Sequence, residues 1–237
     1  MIERIRTYPF FQEKSIISCE PLEQQGHANT IYLIKTPTQK YLLREFKISI
    51  DRQVEFAIQQ KAYQNGIGAK PILLDREGGL MISEFIEGEH REKLTQQQLK
   101  KIARLLRKLH KIKIRQKRNS FKKNFTLKDK KVQKAFMVLN REKREYALGH
   151  NDLHPQNILF QKHHIKLIDW EYARYSDIYF DLVSIIIEYK LNRKESAIFL
   201  RNYFQREKIN HKKIEAFKVI YRELWKQWFK KLERGEL

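Results

Sequence analysis

The sequence predicts an α+β chain, strands first and helices after. Residues 30–35 alternate as a strand, and 40–46, 71–74 and 80–86 are short strand-like runs set off by turn residues. From Thr95 onward apolar residues recur at helical spacing. Between the helical stretches lies one long polar loop, Gly149-His150-Asn151-Asp152-Leu153-His154-Pro155-Gln156-Asn157, followed by the short apolar runs Ile158-Leu159-Phe160 and Leu167-Ile168.

The 237 residues fit one large domain or two small lobes, and a hydrophobic content of 41% is enough for a packed core. The longest apolar run, near Leu182–Ile187, ends at Glu188 and falls far short of the roughly 18 residues that span a bilayer. Met1 to Arg6 lack a continuous apolar segment, so no signal peptide is expected, and the lone Cys19 cannot form an internal disulfide. The cytoplasm is the natural compartment for such a chain. The 49 basic against 28 acidic residues leave a net charge of +21, much of it between Lys100 and Lys134. A surface of that kind attracts nucleic acid, anionic membrane or polyanionic substrates. The chain is also rich throughout in Lys, Ile, Phe, Tyr and Asn, a bias that nucleotide composition alone produces. With no zinc pattern, arginine-rich repeat or RNA-binding motif, no DNA partner is expected, and contact of 100–134 with an anionic surface stays an open alternative.

In chain order, residues 1–20 are mixed, with room for a short helix. Gly26 to Asn29 form a turn before a strand ending at Lys35, and such a turn either directs amide groups at phosphates or simply closes a hairpin. Thr36-Pro37-Thr38-Gln39 turns the chain into the strand Lys40–Phe46. Asp51 to Tyr63 reads as a helix with Val54, Ala57, Ile58 and Ala62 on one face, closed by Asn65-Gly66. Two strands, 71–74 and 80–86, surround the Gly78-Gly79 turn. Thr95 and Gln98 have capping-box spacing and open a helix carrying Leu99, Ile102, Leu105, Leu106 and Leu109. Residues 111–130 read as a basic loop, and 131–139 as a helix leading to the polar loop. Ser176 or Asp177 caps a helix through Leu182, and two more helices cover about 194–204 and 211–232. His163-His164 is a turn; two adjacent histidines without a third ligand are poor evidence for zinc.

The polar loop carries the chemistry. Asp152, Asn157 five residues on, and Asp169 after the next strand supply a carboxylate, a carboxamide and a second carboxylate. Phosphoryl transfer needs such a set: one carboxylate to take the proton of an attacking hydroxyl, and an amide oxygen and a carboxylate to hold magnesium against phosphates. The spacing is that of the kinase catalytic loop, with Asn151 where protein kinases carry Arg and Trp170-Glu171 where they carry Phe-Gly. His150-Asn151-Asp152-Leu153 through Asn157, then Leu167-Ile168-Asp169-Trp170-Glu171-Tyr172-Ala173, resembles the choline/ethanolamine kinase branch of the aminoglycoside-phosphotransferase-like superfamily, in its compact bacterial form.

That resemblance implies a bilobal protein-kinase-like fold. Residues 1–86 would form a small antiparallel-sheet lobe with the hinge, and residues 87–237 a mostly helical catalytic and substrate lobe. It implies ATP as donor and Mg2+ as cofactor, with Asp152 as catalytic base and Asn157 and Asp169 as metal ligands. Gly26, Asn29 and Thr30 would lie over the nucleotide phosphates. Arg44, oriented by Glu55, would grip them with its fixed fork of donors, and Glu84, Phe85 and Ile86 would meet adenine. His150 and Asp181 would brace the loop, and His110 would be structural. Glu171, Glu188, Tyr189, Trp225 and Trp228 would bind a small cationic alcohol, most simply choline, because a quaternary ammonium is held by π-faces and a carboxylate. The Trp225/Trp228 pair, three residues apart on one helix face, could equally dock that helix into the core. Ethanolamine, thiamine, an aminoglycoside or a sugar are alternative acceptors. A non-catalytic nucleotide- or nucleic-acid-binding module is the alternative from a different class.

Overall fold

The computed structural model describes residues 1–23, 25, 29–47, 52–114 and 129–234, which form two compact units. The first comprises Met1–Glu89 and Gln161–Glu171. Its centre is an antiparallel five-stranded sheet in the order β1-β2-β3-β5-β4, built from β1 (Ser18–Pro21), β2 (Asn29–Lys35), β3 (Lys40–Phe46), β4 (Pro71–Asp75) and β5 (Leu80–Glu84). Ile34, Tyr41, Leu43, Leu80 and Ile82 turn one face of that sheet onto Ile5, Phe11 and Ile16. Those three residues come from the N-terminal segment, whose helices are α1 (Ile2–Arg6) and α2 (Pro9–Gln12). Arg4 fixes α1 by donating to Glu45 Oε1 at 2.9 Å and to the Gly78 carbonyl, and the Tyr8 hydroxyl donates to Asp75 Oδ2 at 2.5 Å.

Strand β1 is an addition to the expected elements. Its residues, Ser-Cys-Glu-Pro, carry little strand signal, and it forms as an edge by pairing Ser18 to Pro21 with Lys35 to Tyr32. A proline is tolerated there because an edge strand needs donors on one side only. The helix α3 (Gln53–Gln64) begins two residues later than expected, with Arg52 in place of a side-chain cap. Gln161–Glu171 joins this unit from far along the chain: β8 (Ile165–Leu167) donates from Leu167 N to the Ile67 carbonyl at 2.9 Å, and Lys166 Nζ to the Gly66 carbonyl at 2.9 Å.

The second unit comprises His90–Phe160 and Tyr172–Leu237. It holds α4 (Gln96–Leu109), α5 (Lys130–Arg141), β6 (Tyr146–Gly149), β7 (Ile158–Phe160), β9 (Arg174–Asp177), α6 (Ile178–Glu188), α7 (Arg193–Phe204) and α8 (His211–Glu233). The expected capping box opens α4, with Gln98 N donating to Thr95 Oγ1 at 3.3 Å and Thr95 N to Gln98 Oε1 at 2.8 Å. Leu99, Ile102, Ala103, Leu106 and Leu109 are its buried stripe; Lys100, Arg104 and Lys108 stay exposed opposite. Helix α4 packs on α7, and α5 and α6 both pack on α8. Asp177 is the cap of α6, accepting from Tyr179 N at 3.2 Å.

Lys213 anchors the start of α8. It is buried, and its ammonium donates to Asp177 Oδ2 at 2.8 Å, to the Lys143 carbonyl at 3.0 Å and to Glu145 Oε1 at 3.4 Å, while lying 4.2 Å from the centre of the Tyr179 ring. A fully buried ammonium survives only with such partners. The start of α8 is thereby tied to the cap of α6. Among the described residues no helix is long and apolar enough to cross a membrane.

Candidate active site

In the first unit, Arg44 sits in the middle of β3 and is 8% exposed. Its Nη2 donates to Glu55 Oε1 on α3, and its Nη1 to Asp169 Oδ1 at 3.2 Å. Burial works against the charge of Arg44, but Glu55, Asp169 and Glu171 outweigh it and raise the guanidinium pKa. The expected Arg44–Glu55 pair is therefore present. Arg52, one turn before Glu55, donates from Nη1 to Glu55 Oε2 at 3.1 Å and to Glu171 Oε2 at 2.7 Å, and its guanidinium lies 4.9 Å from the Phe46 ring centre. Asp169 and Glu171 flank Trp170, which is buried against Gly68; a Cβ on Gly68 would come within 3.2 Å of the indole nitrogen. Asp169 itself has φ of +62°, in the left-handed region that few side-chain-bearing residues enter.

Asn29 is buried at the start of β2, Thr30 follows it half-buried, and Gly26 lies outside the described residues. At the other end of the sheet, Glu84 N donates to the Lys70 carbonyl at 2.8 Å and Phe85 N to the Lys40 carbonyl at 3.0 Å. Both amides close the sheet, so of the three residues expected to meet adenine only Ile86 has an amide outside those bonds.

In the second unit, the loop after β6 is held from below by one carboxylate. Asp181 on α6 is 1% exposed and accepts from His150 N at 2.8 Å, Asn151 N at 2.8 Å and His110 Nε2 at 3.0 Å. Burial raises its pKa, but His110, His150 and the Asn151 amide prevail and hold the carboxyl below its ordinary value. His110 in turn meets the Tyr203 hydroxyl at 2.6 Å, which gives it the structural post expected of it. Asn151 takes φ of +65°, with its side chain donating to the Gly149 and Tyr172 carbonyls at 3.2 and 3.1 Å and accepting from Ser176 Oγ at 2.7 Å. Gly149 leaves room for that serine: a Cβ there would lie 2.5 Å from Ser176 Oγ. Beyond the turn, Asn157 Nδ2 donates to the Asp152 carbonyl at 2.9 Å and to Asp152 Oδ2 at 2.8 Å, and His154 Nε2 stands 3.7 Å from the same carboxylate oxygen.

A cleft of about 530 Å³ opens beside this loop, lined by His154, Pro155 and Gln156 from the loop, Glu188 at the end of α6, and Tyr221 and Trp225 with neighbours on α8. The Tyr221 hydroxyl donates to Glu188 Oε1 at 2.8 Å. Burial and the adjoining Glu188 raise the phenol pKa, which keeps it a donor. Trp225 meets the Tyr221 ring at 6.2 Å and the Phe229 ring at 5.7 Å. The substrate residues expected from the sequence are sorted by this geometry. Glu188 and Trp225 line the cleft. Trp228 packs edge-on against Trp225 at 5.5 Å, while Tyr189 is buried at the end of α6 and Glu171 is engaged by Arg52 in the first unit; none of these three is in the cleft lining.

Residues 131–217 match the profile of the phosphotransferase enzyme family, APH. The chain is 26% identical to Protein LicA of Haemophilus influenzae over 219 residues, covering 79% of this chain and 82% of that protein. The crystal structure of choline kinase LicA from Streptococcus pneumoniae superposes with a TM-score of 0.80 at 24% identity, covering 99% of this chain and 92% of that one. An APH phosphotransferase family domain therefore lies within this chain, over residues 131–217. A second LicA structure, in complex with AMP, matches this chain at a TM-score of 0.76 and 26% identity, over 100% of this chain and 91% of that one.

The profile match takes in Asp152, Asn157, Asp169, Asp181 and Glu188, and stops short of Tyr221 and Trp225. Sequence reasoning missed Tyr221 and Arg52. Tyr221 precedes Trp225 by four residues and so shares its helix face, and Arg52 precedes Glu55 by three; both spacings were signals in plain view.

Proposed function

We propose that this phosphotransferase moves the γ-phosphoryl group of ATP to the hydroxyl of a small cationic alcohol, most simply choline. The observation that carries the reading is the cleft of the second unit. Its aromatic wall of Tyr221, Trp225 and Phe229 and its carboxylates, Glu188 and Glu92, adjoin the segment His154–Gln156 that follows Asp152, and Arg222 is the one basic side chain of the lining besides His154. An ammonium held by π-faces and a carboxylate, each aromatic contact worth on the order of 0.5–2 kcal/mol, leaves the hydroxyl end of a short alcohol to the loop.

In this reading Asp152 accepts the proton of the attacking hydroxyl. The Asn157 amide, donating twice to Asp152, keeps that carboxylate aimed. With its nitrogen so engaged, Asn157 presents its oxygen, and Asp169 presents carboxylate oxygen; hard oxygen donors of this kind suit magnesium. Asn157 and Asp169 would hold the ion, which when bound neutralises charge on the phosphates. Arg44, fixed by Glu55, would bind phosphate oxygens, and Ile86 would offer the amide that Glu84 and Phe85 give to the sheet. Positioning and electrostatics, with no covalent intermediate, would supply most of the rate.

The test is acceptor-dependent ADP release with magnesium and ATP across choline, ethanolamine, thiamine and one aminoglycoside. Strong release with choline is expected. Release with another acceptor alone would keep the phosphotransfer chemistry and remove the choline assignment.

A further inference from the structure

In the first unit, five acidic and basic side chains form an unbroken series: Asp169, Arg44, Glu55, Arg52, Glu171. The series begins and ends on the same tripeptide, so Trp170 closes it into a ring. Arg44, Glu55 and Arg52 are buried, and the Glu171 side chain is 14% exposed. Arg52 Nε is buried without a hydrogen-bond partner. A buried network with a donor left over is a poor way to gain stability, because desolvation offsets most of the Coulomb attraction. It is a good way to fix geometry. Asp169 holds a left-handed backbone conformation, of a kind that persists only where its surroundings over-determine it. Here the surroundings are Arg44 on its carboxylate, the buried Trp170 next in sequence, and Arg52 on Glu171 beyond.

We infer that Arg52 and Glu171 are positioning residues that set Asp169 for magnesium–nucleotide binding, and that Glu171 does not contact the acceptor. The inference rests on the phosphotransfer reading but not on the identity of the acceptor. Arg52 works through two routes: it turns Glu55, and hence Arg44, and it pins the far end of the Asp169-Trp170-Glu171 segment. A change at Glu171 opens the ring at one place and leaves the Arg44–Glu55 pair intact.

The experiment is calorimetric binding of ADP, with magnesium and with EDTA, to the wild type, Glu171→Gln and Arg52→Lys, without any acceptor. Glutamine keeps the size and an acceptor oxygen but removes the charge; lysine keeps the charge but loses the planar guanidinium whose Nη1 reaches both carboxylates. Glu171→Gln is expected to weaken magnesium–ADP binding about tenfold, the scale seen when a partner behind a metal ligand is changed, with binding in EDTA unchanged and the thermal midpoint kept; Arg52→Lys, which also acts on Arg44 through Glu55, should weaken both, and magnesium–ADP the more. Wild-type magnesium–ADP affinity in Glu171→Gln, together with a raised KM for the alcohol, would make Glu171 an acceptor contact and overturn the inference. Equal losses with and without magnesium would reduce the ring to a structural element and also overturn it. A wild type that binds no nucleotide would instead bring down the phosphotransfer reading itself.

Discussion

Asp169 in the first unit and the Asp152 loop in the second are held by different kinds of group. Asp169 is gripped by side chains, the guanidiniums of Arg44 directly and Arg52 at one remove. The Asp152 loop is gripped through its backbone, with the His150 and Asn151 amides converging on Asp181. A backbone grip fixes the path of the chain whatever side chains it carries, so Asp152 can be changed without moving the loop. A ring of side chains has no such reserve, since each member is both a partner and a link. Mutation of Asp152 should therefore leave the second unit's loop in place, whereas a change at any member of the first unit's ring should be felt at Asp169.

The largest effect that sharpens this contrast is expected at Asp152. Asp152→Asn keeps the shape and an oxygen for Asn157 Nδ2, and the Asp181 brace is untouched. Turnover should fall by about 10²–10⁴, the usual contribution of a positioned general base. Magnesium–nucleotide affinity and the thermal midpoint should hold. Steady-state rates together with calorimetry check it; near-normal turnover would remove Asp152 from the role of base.

The next effect is on the brace. Asp181→Asn places an NH₂ group where two amides and His110 all donate, and should destabilise the protein by roughly 2–4 kcal/mol, as expected for a buried charge-assisted network that loses its acceptor. The pH dependence follows from the sign of the shift. The folded pKa of Asp181 is depressed, so its contribution is fully present above the unfolded carboxylate value of about 3.9 and is lost as pH falls through the lower folded value. Thermal midpoints taken from pH 6 down to pH 3 should show wild type and variant converging at the acid end. A constant gap would mean that Asp181 acts through shape rather than charge.

The same contrast governs what could be read from the sequence. The Thr95/Gln98 box, the Asn65-Gly66 closure and the Asp177 cap are local devices, complete within a few residues, and all formed as read. The Arg44–Glu55 pair and the Asp181 brace were legible through family likeness, because the motif spacing carried them. Lys213 was not: in His211-Lys212-Lys213 it looks like one more solvated charge, and only the fold brings Asp177, 36 residues away, to meet it. Nor did any local pattern announce that Gln161–Glu171 returns to the first unit, or that Glu171 would find Arg52, 119 residues earlier. Ion pairs distant in sequence leave no periodicity for a reader to find.

The smallest effect is the most informative about the acceptor. Tyr221→Phe removes one oxygen and keeps the ring against Trp225. The carboxylate of Glu188 then loses the donor that fixes its direction in the cleft. A quaternary ammonium has no N–H to offer, so it depends on a carboxylate already aimed at it and on π-faces. A primary ammonium can donate to the carboxylate in several orientations and can also recruit the oxygen that Tyr221 had occupied. The variant should raise KM for choline several-fold, the scale of about 1 kcal/mol for a single hydrogen bond, with little change in kcat. KM for ethanolamine should change less, so the ratio of kcat/KM for choline over ethanolamine should fall. Equal losses on both alcohols would make Tyr221 a general support of the cleft. No loss on either would place the ammonium away from Glu188, and the second unit's cleft would have to bind its alcohol by the aromatic wall alone.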